Sequence, residues 1–403
     1  MTTAISHPAL RDRPRHRAHS RHRGFTIPGV ATGSFWLVAA VVTVLNMVGL
    51  VMVMSASSVV SVHESGAPWS YFQRQIMWTG VGVVALFATL AISLDFWRRH
   101  AKVWLFVTVA MLLAVLVPGV GISANGATRW LGAGPFQVQP SEFAKFALLL
   151  FVADLLARRA DRVHDIQWTL LPVLAYLTLV SALIMLQPNL GTTIIIGVIV
   201  VTLLWTAGVP LLPMTITTTI LTAGATFFVA FTPFRRARFL RFLDPMGDPL
   251  GTGLQNVQSM VALANGGLFG RGLGRSTVKW GYLPYAWTDF IFAVIGEEFG
   301  MAGAMTVVLL FLALAVLGAY IASQAEDRFS MLVASGITAW LTVQALMNIA
   351  AVISLMPITG IPLPFVSFGG SSLVVNLAAI GMLLNIARHP AERAGGRTAP
   401  ASS

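Results

Sequence analysis

Apolar residues in this chain gather into long runs, separated either by short charged stretches or by longer segments rich in Gly, Pro, Trp and Asn. A helix crossing the hydrocarbon of a bilayer takes about 20 mostly apolar residues. Runs of that kind fall near 34–54, 76–94, 103–119, 143–157, 169–187, 191–208, 211–231, 300–322, 330–354 and 372–387. The pattern predicts an all-α polytopic membrane protein of about ten transmembrane helices. An even number of crossings puts both termini on one side.

Short loops holding Arg98, Arg99 and Lys102, then Arg158, Arg159 and Arg162, and finally Arg388, Arg393 and Arg397, assign that side to the cytoplasm. Residues 1–33 read as a basic, disordered cytoplasmic tail ahead of an uncleaved anchor, 34–388 as the transmembrane domain and 389–403 as a second tail. The opposite, extracytoplasmic side then receives the long linkers at 55–75, 120–142, 232–299 and 355–371. The cluster Arg235, Arg236, Arg238 and Arg241 falls outside on this scheme, where it could face anionic head groups or a phosphate-bearing substrate.

Composition narrows the chemistry. Of 403 residues 56% are hydrophobic and 10% charged, and the mean hydropathy is +0.78, so lipid is the solvent. With no cysteine, disulfides, thiolate metal sites and cysteine nucleophiles are excluded. A net charge of +11 suggests nucleic acid at first sight, but the basic residues sit beside apolar runs as topological signals, and no nucleic-acid partner is expected. The histidines lie in the tail or at isolated positions, so any divalent cation, magnesium or manganese, would need oxygen ligands.

Lysine is confined to Lys102, Lys145 and Lys279. In QPSEFAK, Ser141 is placed to cap a helix that carries Glu142 and Lys145 on one face at i, i+3. A charge pair inside a span is costly and commonly functional, although it can also serve packing alone. Upstream, GISANGATRWLG presents Arg129 beside Trp130, suited to phosphate and to a sugar face. Asp244 and Asp248 flank prolines and read as turn caps.

Asp289 stands between Trp287 and the run FIFAVIG, at the mouth of a helix, where partial burial makes a carboxylate a better base. If the helix begins there, Glu297 lies roughly 80° round and about 12 Å deeper, so Glu297 and Glu298 are buried packing or relay groups. Glycines 266, 267, 270, 272 and 274 imitate a phosphate loop without its βαβ context, and close backbone packing is the better reading. The prolines of MPITGIPLPFVSFGGSSL forbid an ordinary helix. Such backbone at membrane depth must line protein or a wet cavity, which places Ser371 and Ser372 with Asp289.

NGATRWL, QPSEFAK, QPNLGT, FRRARFLRFLDP, GGLFGRGLG, KWGYLP, TDFIFAVIGEEFG and PITGIPLPFVSFGGSSL occur here in one order over residues 34–388. Together they resemble the SEDS family, most closely its FtsW division branch. The resemblance implies a ten-helix SEDS-type fold and an inverting peptidoglycan glycosyltransferase that polymerises lipid II on the outer face of the cytoplasmic membrane. It also implies a class B penicillin-binding protein transpeptidase and other divisome proteins as partners. By the same resemblance Asp289 is the essential carboxylate, and Arg129, Trp130, Glu142, Lys145, Lys279, Ser371 and Ser372 belong to the substrate site. The family's usual LPEAHTDF has become LPYAWTDF, with Tyr285 and Trp287, and QPDLGT has become QPNLGT, with Asn189. A lipid-precursor transporter and a non-catalytic scaffold are the competing readings: a polar cavity serves the first, and the second needs none.

Overall fold

The computed structural model describes residues 31–389 apart from 125–126, 135, 233–235, 237–238, 241, 250 and 252. Arg235, Arg238 and Arg241, and nearly all of both basic tails, lie outside the described residues. In chain order the elements are α1 (Gly33–Ser65), α2 (Ser70–Ala91), α3 (Leu94–Arg99), α4 (Ala101–Leu116), strands β1 (Ile122–Ala124), β2 (Ala127–Ala133) and β3 (Phe136–Val138), α5 (Pro140–Arg158) and α6 (Leu171–Met185). They continue with α7 (Leu190–Thr206), α8 (Leu211–Phe231), α9 (Leu254–Gly266), α10 (Ile291–Ser323), α11 (Arg328–Val352) and α12 (Gly370–Ala387).

Each predicted apolar run falls on a helix. Among the described residues, seven helical stretches are long and apolar enough to cross a membrane. The shorter α4 and α7, at 16 and 17 residues, are apolar as well, while α5 carries Glu142, Lys145, Asp154 and Arg158.

The most deeply buried helices are α5, α11 and α12. Small residues let α12 approach α2 closely: Gly381 sits against the Leu86 carbonyl and the Thr89 hydroxyl, and Gly370 against the Trp78 indole, where a Cβ would collide. Thr89 uses the closeness to donate to the Ala378 carbonyl at 2.8 Å. At the far end of α5, Asp154 receives Arg98 Nε at 3.1 Å and Arg158 Nε at 2.8 Å. That cluster lies about 18 Å along the helix from Glu142.

Three of the four linkers expected from hydropathy are structured differently. Most of 55–75 is helical, because Ser55, Ser57 and Ser61 of α1 are buried against protein rather than exposed in a loop. Segment 120–142 forms a three-stranded antiparallel sheet, in which Ile122 pairs with Trp130 and Leu131 with Val138. Helix α5 starts at Pro140, whose fixed φ and missing N–H suit a first turn. Ser141 is therefore no N-cap, and its hydroxyl instead accepts from Asn189 Nδ2 at 3.2 Å and Gln139 Nε2 at 3.1 Å.

Within 232–299 there is a helix, α9, and α10 begins at Ile291 rather than near 300. Gly300 breaks α10 with φ 69° and ψ −166°. The backbone groups released there bond the glycine-rich segment: Met301 N donates to Gly267 O at 2.9 Å and Ala302 N to Leu268 O at 3.0 Å, while Arg271 N and Gly272 N donate to Glu297 O and Glu298 O at 3.0 and 2.9 Å. Gly266 lies on the Gly296 carbonyl and Gly270 on that of Glu298, with no room for a side chain. These two glycines serve backbone packing, while Gly267, Gly272 and Gly274 supply positive φ. Asp244 and Asp248 accept from Gly247 N and Gly251 N, each at 3.1 Å, as turn caps.

Gly300→Ala should therefore lower stability by roughly 2–4 kcal/mol, through a disallowed φ and a clash with the Gly270 amide. The thermal midpoint in detergent checks this. The control substitution Gly224→Ala, in open space on α8, should leave the midpoint unchanged or raise it slightly.

Candidate active site

The site is assembled where the turn before α10 meets the non-helical segment between α11 and α12. Leu355 N and Met356 N turn back onto Ala350 O at 2.8 and 3.3 Å, and the chain then stays irregular until Gly370. Its prolines prevent helix, so its polar backbone needs partners from elsewhere. Gln344 and Asn348, one turn apart on α11, supply them.

Gln344 Nε2 donates to Pro362 O at 3.0 Å, and Asn348 Nδ2 donates to both Ile361 O and Asp289 O at 2.8 Å. Ser367 Oγ donates to Thr288 O at 2.6 Å and accepts from Leu363 N at 2.8 Å. Phe368 N reaches Trp287 O at 3.0 Å. Residues 287–289 are thus stitched, carbonyl by carbonyl, to 361–368. These contacts place the last loop beside Asp289.

Asp289 itself is partly exposed. A Cβ added to Gly360 would come to 3.7 Å from Asp289 Oδ2, so a residue without a side chain, at φ 71°, faces the carboxylate. That leaves room beside the oxygen.

Two buried glutamates, about two helical turns further along the chain, hold the segment that leads to it. Glu297 accepts from Ser276 Oγ at 2.6 Å, Thr277 Oγ1 at 2.6 Å and Thr277 N at 3.1 Å, with Arg271 Nη1 at 3.5 Å. Glu298 accepts from Ser55 Oγ of α1 at 2.6 Å and lies 3.9 Å from Lys279 Nζ. Lys279 is buried and donates to Gly274 O at 2.6 Å. Both glutamates act as anchors of the 271–279 segment.

The other residues singled out from sequence are distributed around this core. Lys145 is fully buried, 2.8 Å from Glu142 Oε2 and 2.9 Å from Gln344 Oε1, with its ammonium 4.8 Å from the Trp340 ring centroid. Gln344 therefore joins the charge pair to the Pro362 carbonyl, and its Nε2 lies 3.5 Å from Ser372 Oγ. Ser371 Oγ accepts from Gln139 N at 2.9 Å, tying α12 to the entry of α5. Arg129, on β2, donates from Nε to Gln187 O at 2.9 Å and from Nη2 to Pro188 O at 2.6 Å. It clamps the turn that Asn189 opens by capping α7 through Thr192 N at 3.2 Å. Trp130, partly exposed, follows it on the same strand.

Gln344, Asn348, Ser367 and Gly360 were missed as site residues from sequence. The available signal was two amides at i, i+4 inside an apolar run directly before a helix-forbidding segment.

Among the described residues no group of three His, Asp or Glu side chains suited to a metal ion is present.

Removing only Lys145, as in Lys145→Met, should cost about 3–5 kcal/mol, because it strands the Glu142 charge in the core. The double change Glu142→Gln with Lys145→Met should recover most of that loss. Thermal midpoints of the three proteins in one detergent give the comparison.

The comparisons with known proteins agree with this geometry. A family model described as "Cell cycle protein", spanning the FtsW, RodA and SpoVE proteins, matches residues 35–392. The chain is 41% identical over 359 residues to a probable peptidoglycan glycosyltransferase FtsW of Mycobacterium tuberculosis, covering 89% of this chain and 68% of that protein. It is 38% identical to the stage V sporulation protein E of Bacillus subtilis, covering 88% and 97%. Among solved structures, a chain of a peptidoglycan synthase complex that coordinates polymerization and crosslinking aligns with a TM-score of 0.70 at 29% identity, covering 88% of this chain and 97% of that one. The rod shape determining protein RodA of Thermus thermophilus aligns at 0.65 and 28%, covering 88% and 96%. With a family match over residues 35–392 and relatives about 40% identical over most of its length, the chain belongs to the FtsW/RodA/SpoVE, or SEDS, family of membrane proteins.

Proposed function

We propose that this protein is a peptidoglycan glycosyltransferase that polymerises lipid II at the outer face of the cytoplasmic membrane, at the division septum, with both its termini in the cytoplasm. The observation that carries the reading is Asp289. It is a partly exposed carboxylate whose own backbone is pinned by Asn348 and whose oxygen faces a glycine. A transporter has no need of a carboxylate fixed in this way, and a scaffold has no need of the polar interior behind it. The names of the FtsW relatives and the synthase-complex neighbour support the same activity.

Asp289 takes the proton of the acceptor GlcNAc 4-hydroxyl as that oxygen attacks the anomeric carbon of the MurNAc of a second lipid-linked disaccharide. The bond from that carbon to the pyrophosphate breaks, and undecaprenyl pyrophosphate departs with the electron pair. Attack opposite the leaving group inverts an α donor into a β-1,4 product. Lys145 and Lys279 are buried on protein partners, so their charge acts on the substrate through the field they set. Arg129 is partly exposed and is the better placed of the three to meet a pyrophosphate, together with the partly exposed Trp130, while Ser371 and Ser372 are buried in the first turn of α12 and shape the site from behind. A class B penicillin-binding protein is the partner that would crosslink the product, within a larger divisome.

Asp289→Asn should lower polymerisation of purified lipid II by about 10²–10⁴-fold in the reconstituted protein, measured with and without a class B penicillin-binding protein, while leaving the thermal midpoint close to the parent's. Unchanged glycan synthesis by a folded Asp289→Asn protein would remove the assignment. No glycan from the parent under either condition would favour the transporter or scaffold readings.

A further inference from the structure

The turn that delivers Asp289 carries a side chain its backbone does not call for. Tyr285 has φ 61°, in the left-handed region where glycine is at ease and other residues are strained. Its carbonyl accepts from Thr288 N at 3.1 Å, Phe290 N at 3.4 Å and Thr288 Oγ1 at 3.1 Å, which closes the turn into α10. Those bonds use no part of the tyrosine ring. Glycine would make them at lower cost, so the turn does not explain the phenol.

The ring is part of an aromatic surface instead. Tyr285 is 39% exposed, and its ring centroid lies 6.4 Å from that of Trp287. Trp287 rests on Tyr71 of α2 at 5.4 Å, which rests on Phe368 at 5.2 Å. Trp287 is thereby backed by aromatic rings from two other parts of the fold, and Tyr285 extends it toward solvent. Nearby in sequence, Trp280 and Tyr282 are exposed by 67% and 60%.

We propose that Tyr285 and Trp287 form a carbohydrate-stacking subsite that receives a hexosamine ring of the lipid-linked substrate beside Asp289. A pyranose offers a face of C–H bonds with partial positive charge, and the negative face of an aromatic ring is its natural complement. Asp289 follows Trp287 by two residues, so a ring stacked there would lie on the same turn that carries the carboxylate. The competing role, anchoring among lipid head groups, gives no reason to put the exposed aromatic on a strained turn next to that carboxylate. The inference rests on the glycosyltransferase reading for its ligand.

Binding of lipid II to the full-length protein in detergent tests it independently of turnover, using the parent, Tyr285→Phe and Tyr285→Gly. Tyr285→Phe should bind as the parent does. Tyr285→Gly should bind about five- to tenfold more weakly, with a thermal midpoint equal to or above the parent's, because the strained φ is relieved. Tyr285→Asn, which also tolerates this φ, replaces the glycine variant if that one fails to fold. Equal affinity in the folded Gly or Asn variant overturns the subsite. Weakened binding without any polymerisation by the parent would keep the subsite and remove only the enzymatic reading.

Discussion

Non-helical backbone placed among apolar helices must find its hydrogen-bond partners inside the protein, and the whole site is organised by that requirement. Segments 285–290 and 353–369 both break helix in this way, and each would be costly alone. They are tolerated because Asn348 bonds a carbonyl in each and Ser367 bonds both. The groups that satisfy one irregular segment are the groups that fix the other. Asp289 is therefore positioned by the same bonds that make its surroundings possible.

Charge inside the helical core follows a similar logic. Lys145 neutralises Glu142 and passes a hydrogen bond to Gln344, which in turn holds the Pro362 carbonyl. Glu297 and Glu298 bind the 271–279 segment and tie it to α1. Several residues that look catalytic by composition are thus committed to holding loops at the mouth of the bundle. Asp289 differs in that its side chain is partly exposed and faces the bare backbone of Gly360. The proposed mechanism asks its chemistry of that one carboxylate, and the other charges hold the segments around it.

Hydropathy was sufficient to find the long apolar helices, because a membrane span must be long and apolar whatever it packs against, but it passed over α3 and α9. It misjudged ends wherever polar residues were buried. The serines of α1 read as loop, yet they are buried and Ser55 bonds Glu298, so α1 runs to Ser65. The three-stranded sheet was invisible because its strands are short and are stabilised by pairing across the segment. Asp289 and the last loop were legible as neighbours, one by its place at a helix mouth and the other by its prolines. The roles of Gln344 and Asn348 were not, since only the fold shows which carbonyls their amides meet. Arg129 was expected to face ligand, and the structure adds a clamp on 187–188 that no motif announces.

If Asp289 is the reacting base, as proposed, and the amide of Asn348 holds it in register with the last loop, removing that amide should displace the reacting group without emptying the substrate site. Steady-state polymerisation of lipid II by Asn348→Ala decides this, with its thermal midpoint and lipid II affinity measured beside the parent's. The expected result is turnover reduced by about 10²-fold in a folded protein whose lipid II affinity changes by no more than about twofold, the signature of a displaced reacting group. Parental turnover in that folded variant would contradict the positioning role of Asn348.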